Sequence, residues 1–182
     1  PKSNTVNDGK EVATGVILPR KMVVPGGEAT YPTFVSHDVE LQNKINRLLQ
    51  SECAEYLDSF YQGKADMAFK VITANEHIIS LQLISGKSKF KHHHVNINPS
   101  TGELIKLNQI LNYKDPDLMP LLRLLCTNKN MMLEYQPPAE WYIEGNNLYL
   151  MQNICGNDEV AGFALANLHK FVLDGRWFEK KF

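Results

Sequence analysis

The sequence predicts an α+β fold, in which a long amphipathic helix packs on an antiparallel sheet and a second, smaller α/β portion follows. Three observations lead to this prediction. Apolar residues recur at intervals of three and four from Asp38 to Tyr61, and apolar and polar residues alternate on both sides of residues 74–77. Another leucine-rich helix and another hairpin then follow. Because an antiparallel sheet can bury one apolar face, the first two patterns together favour a helix lying on the sheet.

The first 27 residues are predicted to form a loose leader. They are rich in Gly, Pro, Asn and Thr, and prolines and glycines interrupt the apolar stretches Val12–Leu18 and Met22–Val24. Those stretches could still add an edge strand. The predicted organisation is a leader at 1–27, a helix-plus-hairpin subdomain at 28–86 and a C-terminal α+β subdomain at 87–182.

The long helix has recognisable ends. Ser36 or Asp38 can cap its first turn, and Gly63 follows its last turn. From Asp38 to Tyr61 it would extend about 36 Å, enough to cross a small sheet. Its apolar face is predicted to comprise Val39, Ile45, Leu48, Leu49, either Glu52 or Cys53, Tyr56, Leu57 and Phe60.

The sheet is predicted to contain at least three strands. Met67–Ile72 and Ile79–Leu83 form a hairpin, and Val95–Asn98 adds a third strand. Beyond that strand, Pro99 suits an early turn position and Gly102 can adopt positive φ. The chain then turns back into a helical turn that carries Leu107, Ile110 and Leu111.

The second portion begins with a helix between Asp115 and Asn128. Pro116 suits its first turn, whereas Pro120 would cost a hydrogen bond unless the regular helix begins there. A hairpin is predicted from Trp141 to Met151, with a turn at residues 144–147. The stretch from Ala161 to Val172 fits either a strand or a short helix.

Composition excludes several classes of partner at the level of the whole chain. Nineteen basic and twenty acidic residues give a formal net charge of −1, so no nucleic-acid partner is predicted and any partner must be recognised locally. No apolar run approaches the roughly 20 residues of a membrane-spanning helix, although an anchor upstream of this chain would be compatible with it. Cys53, Cys126 and Cys155 lack metal-site spacing and are interpreted as free thiols.

The sequence contains no recognisable catalytic motif, and no cofactor is predicted. His92 and His94 would share one face of a strand about 7 Å apart, which a metal ion can use, while His93 would point the other way. A metal site would still need ligands from neighbouring strands, such as Asp66, Glu76 or His77. A solvated strand face flanked by lysines is the favoured interpretation.

A partner-binding surface is the functional interpretation that the residues favour. The segment Met131–Pro138 carries methionine and tyrosine, which are enriched at adaptable interfaces, although covering the end of a core is the favoured interpretation of these particular residues. The residues predicted to bind a ligand are Lys89, Lys91, His92, His94 and Tyr135.

The order of several motifs resembles one known family. The motifs are Tyr31-Pro32 before a helix carrying Gln42–Asn46, the hairpin, Asn96–Gly102, the turn at Leu107–Leu111, Trp141–Ile143 and Gly162–Leu165. Over about residues 28–172 the chain resembles the extracytoplasmic domain of the lysozyme-sensing anti-sigma factor RsiV. That domain is shared with proteins of unknown function and with an N-terminal module of some peptidoglycan deacetylases.

The resemblance implies a non-enzymatic α+β domain, displayed outside the bacterial cytoplasmic membrane, that senses or binds a protein or peptidoglycan. Two segments depart from the family pattern, Ser85–Lys89 and Ile154–Gly156, so lysozyme recognition does not follow. A first alternative is a cell-wall carbohydrate-binding module in which glycans stack on Trp141 or Trp177. A second is a metal-binding domain that uses His92 and His94 for metal-dependent hydrolysis.

Overall fold

The computed structural model describes residues 11–12 and 14–177. The chain divides between Leu104 and Ile105 into two compact units, called unit 1 and unit 2 below. Both combine helix with antiparallel sheet, so the predicted α+β class is confirmed. No helix among the described residues is long and apolar enough to cross a membrane.

Unit 1 contains a six-stranded sheet whose strands lie side by side in sequence order. Neighbouring strands are antiparallel, except that β3 and β4 run parallel and pair only at Ala29 and Met67. The predicted hairpin and third strand are confirmed as β4, β5 and β6. The strands are β1 (Glu11–Val12), β2 (Gly15–Val24), β3 (Gly27–Val35), β4 (Asp66–Ala74), β5 (Ile79–Gly86) and β6 (Phe90–Ile97).

Part of the predicted leader is regular structure. Strand β2 pairs with β3 along its whole length, from Val16 opposite Val35 to Val24 opposite Gly27. The turn at Pro25 and Gly26 closes this hairpin, because Pro presets the first φ of a type II turn and Gly26 adopts the positive φ (84°) that the next position requires. Strand β6 likewise pairs fully with β5, which places residues 87–104 in unit 1.

The long helix α1 (Val39–Tyr61) is confirmed. Its first turn is capped by Asp38, whose side chain accepts a hydrogen bond of 3.0 Å from the Leu41 N–H, and Gly63 follows its end with φ 68°. One face packs on the sheet, and each large side chain buried there contributes about 1.5–3 kcal/mol. The buried helix residues are Leu41, Ile45, Leu49, Cys53, Tyr56 and Phe60.

The turn after β6 follows its prediction. Gly102 has φ 70°, and its N–H donates to the Asn98 carbonyl at 2.8 Å. The Asn98 N–H donates to the Glu103 carbonyl at 2.8 Å, which closes the turn. The helical turn expected at Leu107 is a 3-10 helix, Leu107–Gln109.

Unit 2 contains the helix α2 (Leu118–Leu125) and a three-stranded antiparallel sheet. Helix α2 begins two residues before Pro120, so this proline lies in the first turn, where its missing N–H costs no intrahelical bond. The stretch from Ala161 contains both predicted alternatives, the end of a strand followed by a 3-10 helix. The remaining elements are β7 (Glu140–Glu144), β8 (Asn147–Ile154), β9 (Asn157–Ala164) and the 3-10 helices Leu165–Phe171 and Gly175–Trp177.

Candidate binding cleft

Four of the five predicted ligand-binding residues lie at the β5–β6 turn and on β6. Lys89 and Lys91 are exposed, whereas His94 is only 4% exposed and its Nε2 lies 3.3 Å from Gln82 Nε2. Alternation along the strand places His92 on the same face as His94. In the part of the chain that the structure describes, no three His, Cys, Asp or Glu side chains are grouped so that they could hold a metal ion. The two histidines therefore lack a third protein ligand there.

His93 points to the opposite face, where helix α1 lies. Its Nε2 is 2.5 Å from Glu52 Oε2, and both side chains are partly buried. This polar contact joins β6 to α1 at the edge of the apolar core.

Tyr135, the fifth predicted residue, lies in unit 2. Its ring is 63% exposed, and the Arg123 guanidinium carbon lies 5.3 Å from the ring centroid. Arg123, in helix α2, also donates to the Leu133 carbonyl at 2.9 Å, so this arginine joins α2 to the loop that carries Tyr135. The five predicted residues thus fall in two units.

The tryptophans cannot serve as the predicted stacking platforms for glycans. Trp141 is 4% exposed and Trp177 is 8% exposed. Both indole rings are largely covered within the fold, so the expectation that a sugar stacks on either of them is wrong.

A cleft of about 200 Å³ opens in unit 1 between the β2–β3 hairpin and helix α1. Its walls combine apolar side chains with polar groups, as small-molecule sites generally do. The lining residues are Arg20, Tyr31, Pro32, Thr33, Asn46, Leu49, Gln50, Cys53 and Leu57.

The cleft exists because β3 separates from β4 after Ala29 and continues beside the helix while it remains paired with β2. At Phe34 a side chain of helix α1 takes the place of a neighbouring strand. The Asn46 side-chain oxygen accepts a hydrogen bond from the Phe34 N–H, and the Asn46 side-chain nitrogen donates one to the Phe34 carbonyl, both at 2.8 Å. Pro32, two residues before Phe34, faces the same edge of β3 but has no backbone N–H that would need a hydrogen-bond partner. The strand can therefore lose its neighbour at Pro32 without leaving a buried donor unpaired.

Four polar side chains around the cleft are unpaired within the described residues. Arg20, Tyr31, Thr33 and Gln50 make no side-chain hydrogen bond or ion pair with any of them. The next residue in the chain shows the contrast, because Lys21 forms an ion pair of 2.9 Å with Glu28. A guanidinium carries five donors and a permanent positive charge, so Arg20 gives the cleft a preference for an acidic group.

The cleft offers hydrogen bonds and charge but no activated nucleophile. Cys53 forms part of its floor and is 1% exposed. Burial, and to a smaller extent the charge of Glu52, raises the pKa of this thiol to about 12. The thiol therefore stays protonated at neutral pH, whereas thiol catalysis requires the thiolate.

Sequence patterns missed the cleft because Arg20, the charged residue of its lining, lies in the predicted leader. Arg20 lies in β2, opposite Tyr31 of β3. The facing prolines of this hairpin, Pro19 and Pro32, were a usable signal, since proline is confined to strand edges that lack a partner.

The fold and the cleft define an α+β protein in which a long helix crosses a sheet and a three-stranded sheet follows in a second unit. No family model matches the sequence, and no curated protein matches it. Solved structures do match its fold.

One matching structure is a member of the DUF3298 family from Bacteroides fragilis, with a TM-score of 0.61 and 10% sequence identity over 88% of this chain and 92% of that chain. Another is a DUF3298 family protein from Pseudomonas aeruginosa, with a TM-score of 0.53 and 9% identity over 91% of this chain and 96% of that chain. At these identities the likeness concerns the fold alone.

Proposed function

We propose that this chain is a non-enzymatic binding or sensing domain of the RsiV-like type, located outside the bacterial cytoplasmic membrane, that recognises a protein or a cell-envelope ligand. The motif order in the sequence supports the family. The fold shared with two DUF3298 proteins is consistent with it. The cleft in unit 1 supplies the recognition site.

The observation that carries this proposal is the set of polar groups around the cleft that have no partner among the described residues. Arg20, Tyr31, Thr33 and Gln50 lie around a floor that includes Leu49 and other apolar side chains. An acidic group of the ligand would pair with Arg20, while its remaining atoms would receive hydrogen bonds from the other three side chains. Acidic side chains of a protein and the carboxylates of peptidoglycan stem peptides both present such a group.

The proposal can be tested by capture on the immobilised chain. Cell-wall digest, lysozyme and a mixture of secreted proteins are passed over the wild-type chain, and any retained species is identified and titrated. We expect one saturable ligand. The absence of saturable binding from all three sources would contradict the proposal.

Two neighbouring substitutions locate the site. Arg20→Gln removes the unpaired charge and should weaken binding by about 10-fold to 100-fold, the value of a hydrogen bond to a charged group. Lys21→Gln changes the net charge equally but removes a cation already paired with Glu28, so binding should remain within about twofold of wild type, as for a weak exposed ion pair. Equal losses in both variants would show that the ligand responds to overall charge and does not occupy the cleft.

A further inference from the structure

Three loops of unit 1 meet at one end of its sheet, here called the hairpin end. Lys87 Nζ donates to the Gly26 carbonyl at 3.0 Å, which joins the β5–β6 turn to the β2–β3 turn. The Glu28 N–H donates to Asp66 Oδ1 at 3.0 Å, and Asp66 lies opposite Gly86 in the β4–β5 ladder. The hairpin end comprises residues 21–28, 61–66 and 86–91.

Positive charge is concentrated at the hairpin end. Five lysines and two carboxylates leave an excess of three positive charges here, in a chain whose formal net charge is −1. Both carboxylates are engaged, Glu28 by Lys21 at 2.9 Å and Asp66 by the Glu28 N–H. The cations that form no ion pair with any described residue are Lys64, Lys87, Lys89 and Lys91.

Large apolar side chains are also exposed at the hairpin end. Phe90, between Lys89 and Lys91 in the chain, is 56% exposed. Tyr61, at the end of α1, is 65% exposed, and its hydroxyl lies 3.4 Å from Met22 Sδ, which holds it against β2. The tip of β2 adds Val23 and Val24, which are 70% and 41% exposed.

A soluble polyanion and a lipid surface make different demands on such a patch. Lysines alone suffice for a polyanion, whose affinity comes from charge neutralisation. An anionic bilayer also accepts apolar side chains at the boundary between headgroups and acyl chains, as amphipathic membrane-surface elements show. The combination of unpaired lysines and exposed Phe90, Val23 and Val24 fits the bilayer.

We propose that the hairpin end docks on an anionic lipid surface, with its lysines at the headgroups and its exposed apolar side chains inserted between them. This contact uses residues that do not line the ligand cleft proposed above, and it does not depend on the cleft. It would hold the domain close to a membrane while the cleft remains available.

Co-sedimentation of the full chain with lipid vesicles tests this proposal. Vesicles of phosphatidylcholine alone are compared with vesicles of phosphatidylcholine and phosphatidylglycerol in equal parts. We expect binding to the mixed vesicles only, and weaker binding as salt is added, because screening shortens the range of the lysine charges.

Matched variants assign the contact to the hairpin end. Lys89→Gln with Lys91→Gln should weaken binding by about 30-fold, since each lysine near an anionic surface contributes about 1 kcal/mol. Lys114→Gln with Lys129→Gln makes the same charge change at exposed positions of unit 2 and should leave binding unchanged. Phe90→Ser should weaken binding by about 10-fold through lost apolar insertion.

Three results would overturn the proposal. The first is equal binding to both kinds of vesicle, and the second is equal loss in the two lysine pairs. The third is binding to dextran sulfate as tight as that to mixed vesicles together with no effect of Phe90→Ser, which would identify a site for soluble polyanions. Arg20→Gln should bind vesicles normally, so failure of this proposal and failure of the cleft proposal remain distinguishable.

Discussion

Polar side chains that hold the α2–β7 connection of unit 2 are hydrogen-bonded, whereas several around the cleft of unit 1 have no partner among the described residues. In unit 2, Gln152 binds both backbone groups of Met132, accepting from its N–H at 3.0 Å and donating to its carbonyl at 2.8 Å. Asn128 similarly donates to Glu159 and to the Val160 carbonyl. Around the cleft of unit 1, Arg20 and Gln50 have no such partner among the described residues.

The difference follows from how each unit satisfies its backbone. In unit 2 a long connection without regular structure joins α2 to β7, and its backbone groups need side-chain partners. In unit 1 the strand ladders and helix α1 satisfy most backbone groups, so side chains on the cleft can remain available. Polar residues in unit 2 therefore hold a loop in place and Asn46 holds β3 at the cleft, whereas Arg20 and Gln50 bond to no described residue.

The largest effect is expected from removing core volume in unit 1. Phe60 is 1% exposed, and Phe60→Ala should lower the free energy of unfolding by about 3–5 kcal/mol through lost burial and a new cavity. Far-UV circular dichroism during urea unfolding measures this, because α1 is the longest helix among the described residues. Its neighbour Tyr61 is 65% exposed, and Tyr61→Ala should cost less than about 1 kcal/mol. Similar costs at both positions would refute the proposed role of the core.

The next largest effect on the free energy of unfolding is expected from the Asn46–Phe34 contact, in which a helix side chain takes the place of a neighbouring strand. Asn46→Ala removes both hydrogen bonds to Phe34 and leaves two partly buried backbone groups unpaired, so we expect a loss of about 2–3 kcal/mol. Asn43→Ala on the exposed face of α1 should change stability by less than about 0.5 kcal/mol. If the two variants unfold at the same urea concentration, Asn46 does not fasten β3 to the helix.

A smaller effect is expected in unit 2. Gln152→Ala should cost about 1–2 kcal/mol, because its two hydrogen bonds to Met132 are exposed to water. Both tryptophans of the chain lie in this unit, so fluorescence reports its unfolding. Gln136→Ala, an exposed position in the same connection, is the control. Faster proteolysis near Met132 in the Gln152 variant alone would confirm that this side chain holds the loop.

The cysteines should also distinguish the units. At pH 8, N-ethylmaleimide should modify exposed Cys155 and leave Cys53 unmodified until the protein unfolds. The pKa of Cys53 is raised from 9.0 to about 12, chiefly by burial, so its contribution to stability is complete below pH 9 and is lost as pH rises towards 12. Cys53→Ala should remove this part of the pH dependence and Cys155→Ala should not. Rapid modification of Cys53 in the folded protein would contradict its burial.

The smallest effect on stability is expected at the cleft itself. Gln50→Ala removes an exposed side chain that bonds to no described residue, so unfolding should shift by less than about 0.5 kcal/mol. Binding of the captured ligand should weaken nonetheless, as measured by titration calorimetry. A stability loss above 1 kcal/mol would show that Gln50 supports the fold. Gln50 would then resemble the structural side chains of unit 2 and would no longer differ from them.

Sequence patterns predicted the positions of helices and strands better than they predicted which elements pair or pack with one another. Helix α1 was predicted almost to the residue because its spacing and the Asp38 cap are local signals. The β2 strand was weakly indicated, since Pro19 argues against a central strand and only the pairing with β3 shows that it tolerates one. The predicted ligand-binding residues were chosen for their chemical type. The cleft instead depends on tertiary structure, which places Arg20 of β2 and Gln50 of α1 around the same opening.

The sequence by itself determined the α+β class, helix α1, the β4–β5 and β7–β8 hairpins and the glycine turns at Gly63 and Gly102. These features depend on periodicity, capping and positive φ, which act over a few residues. Only the tertiary structure decided that β3 separates from β4 after Ala29, that the cleft opens there, and that three distant loops form the hairpin end. Strand order and register depend on burial between residues far apart in the chain, which no local pattern specifies.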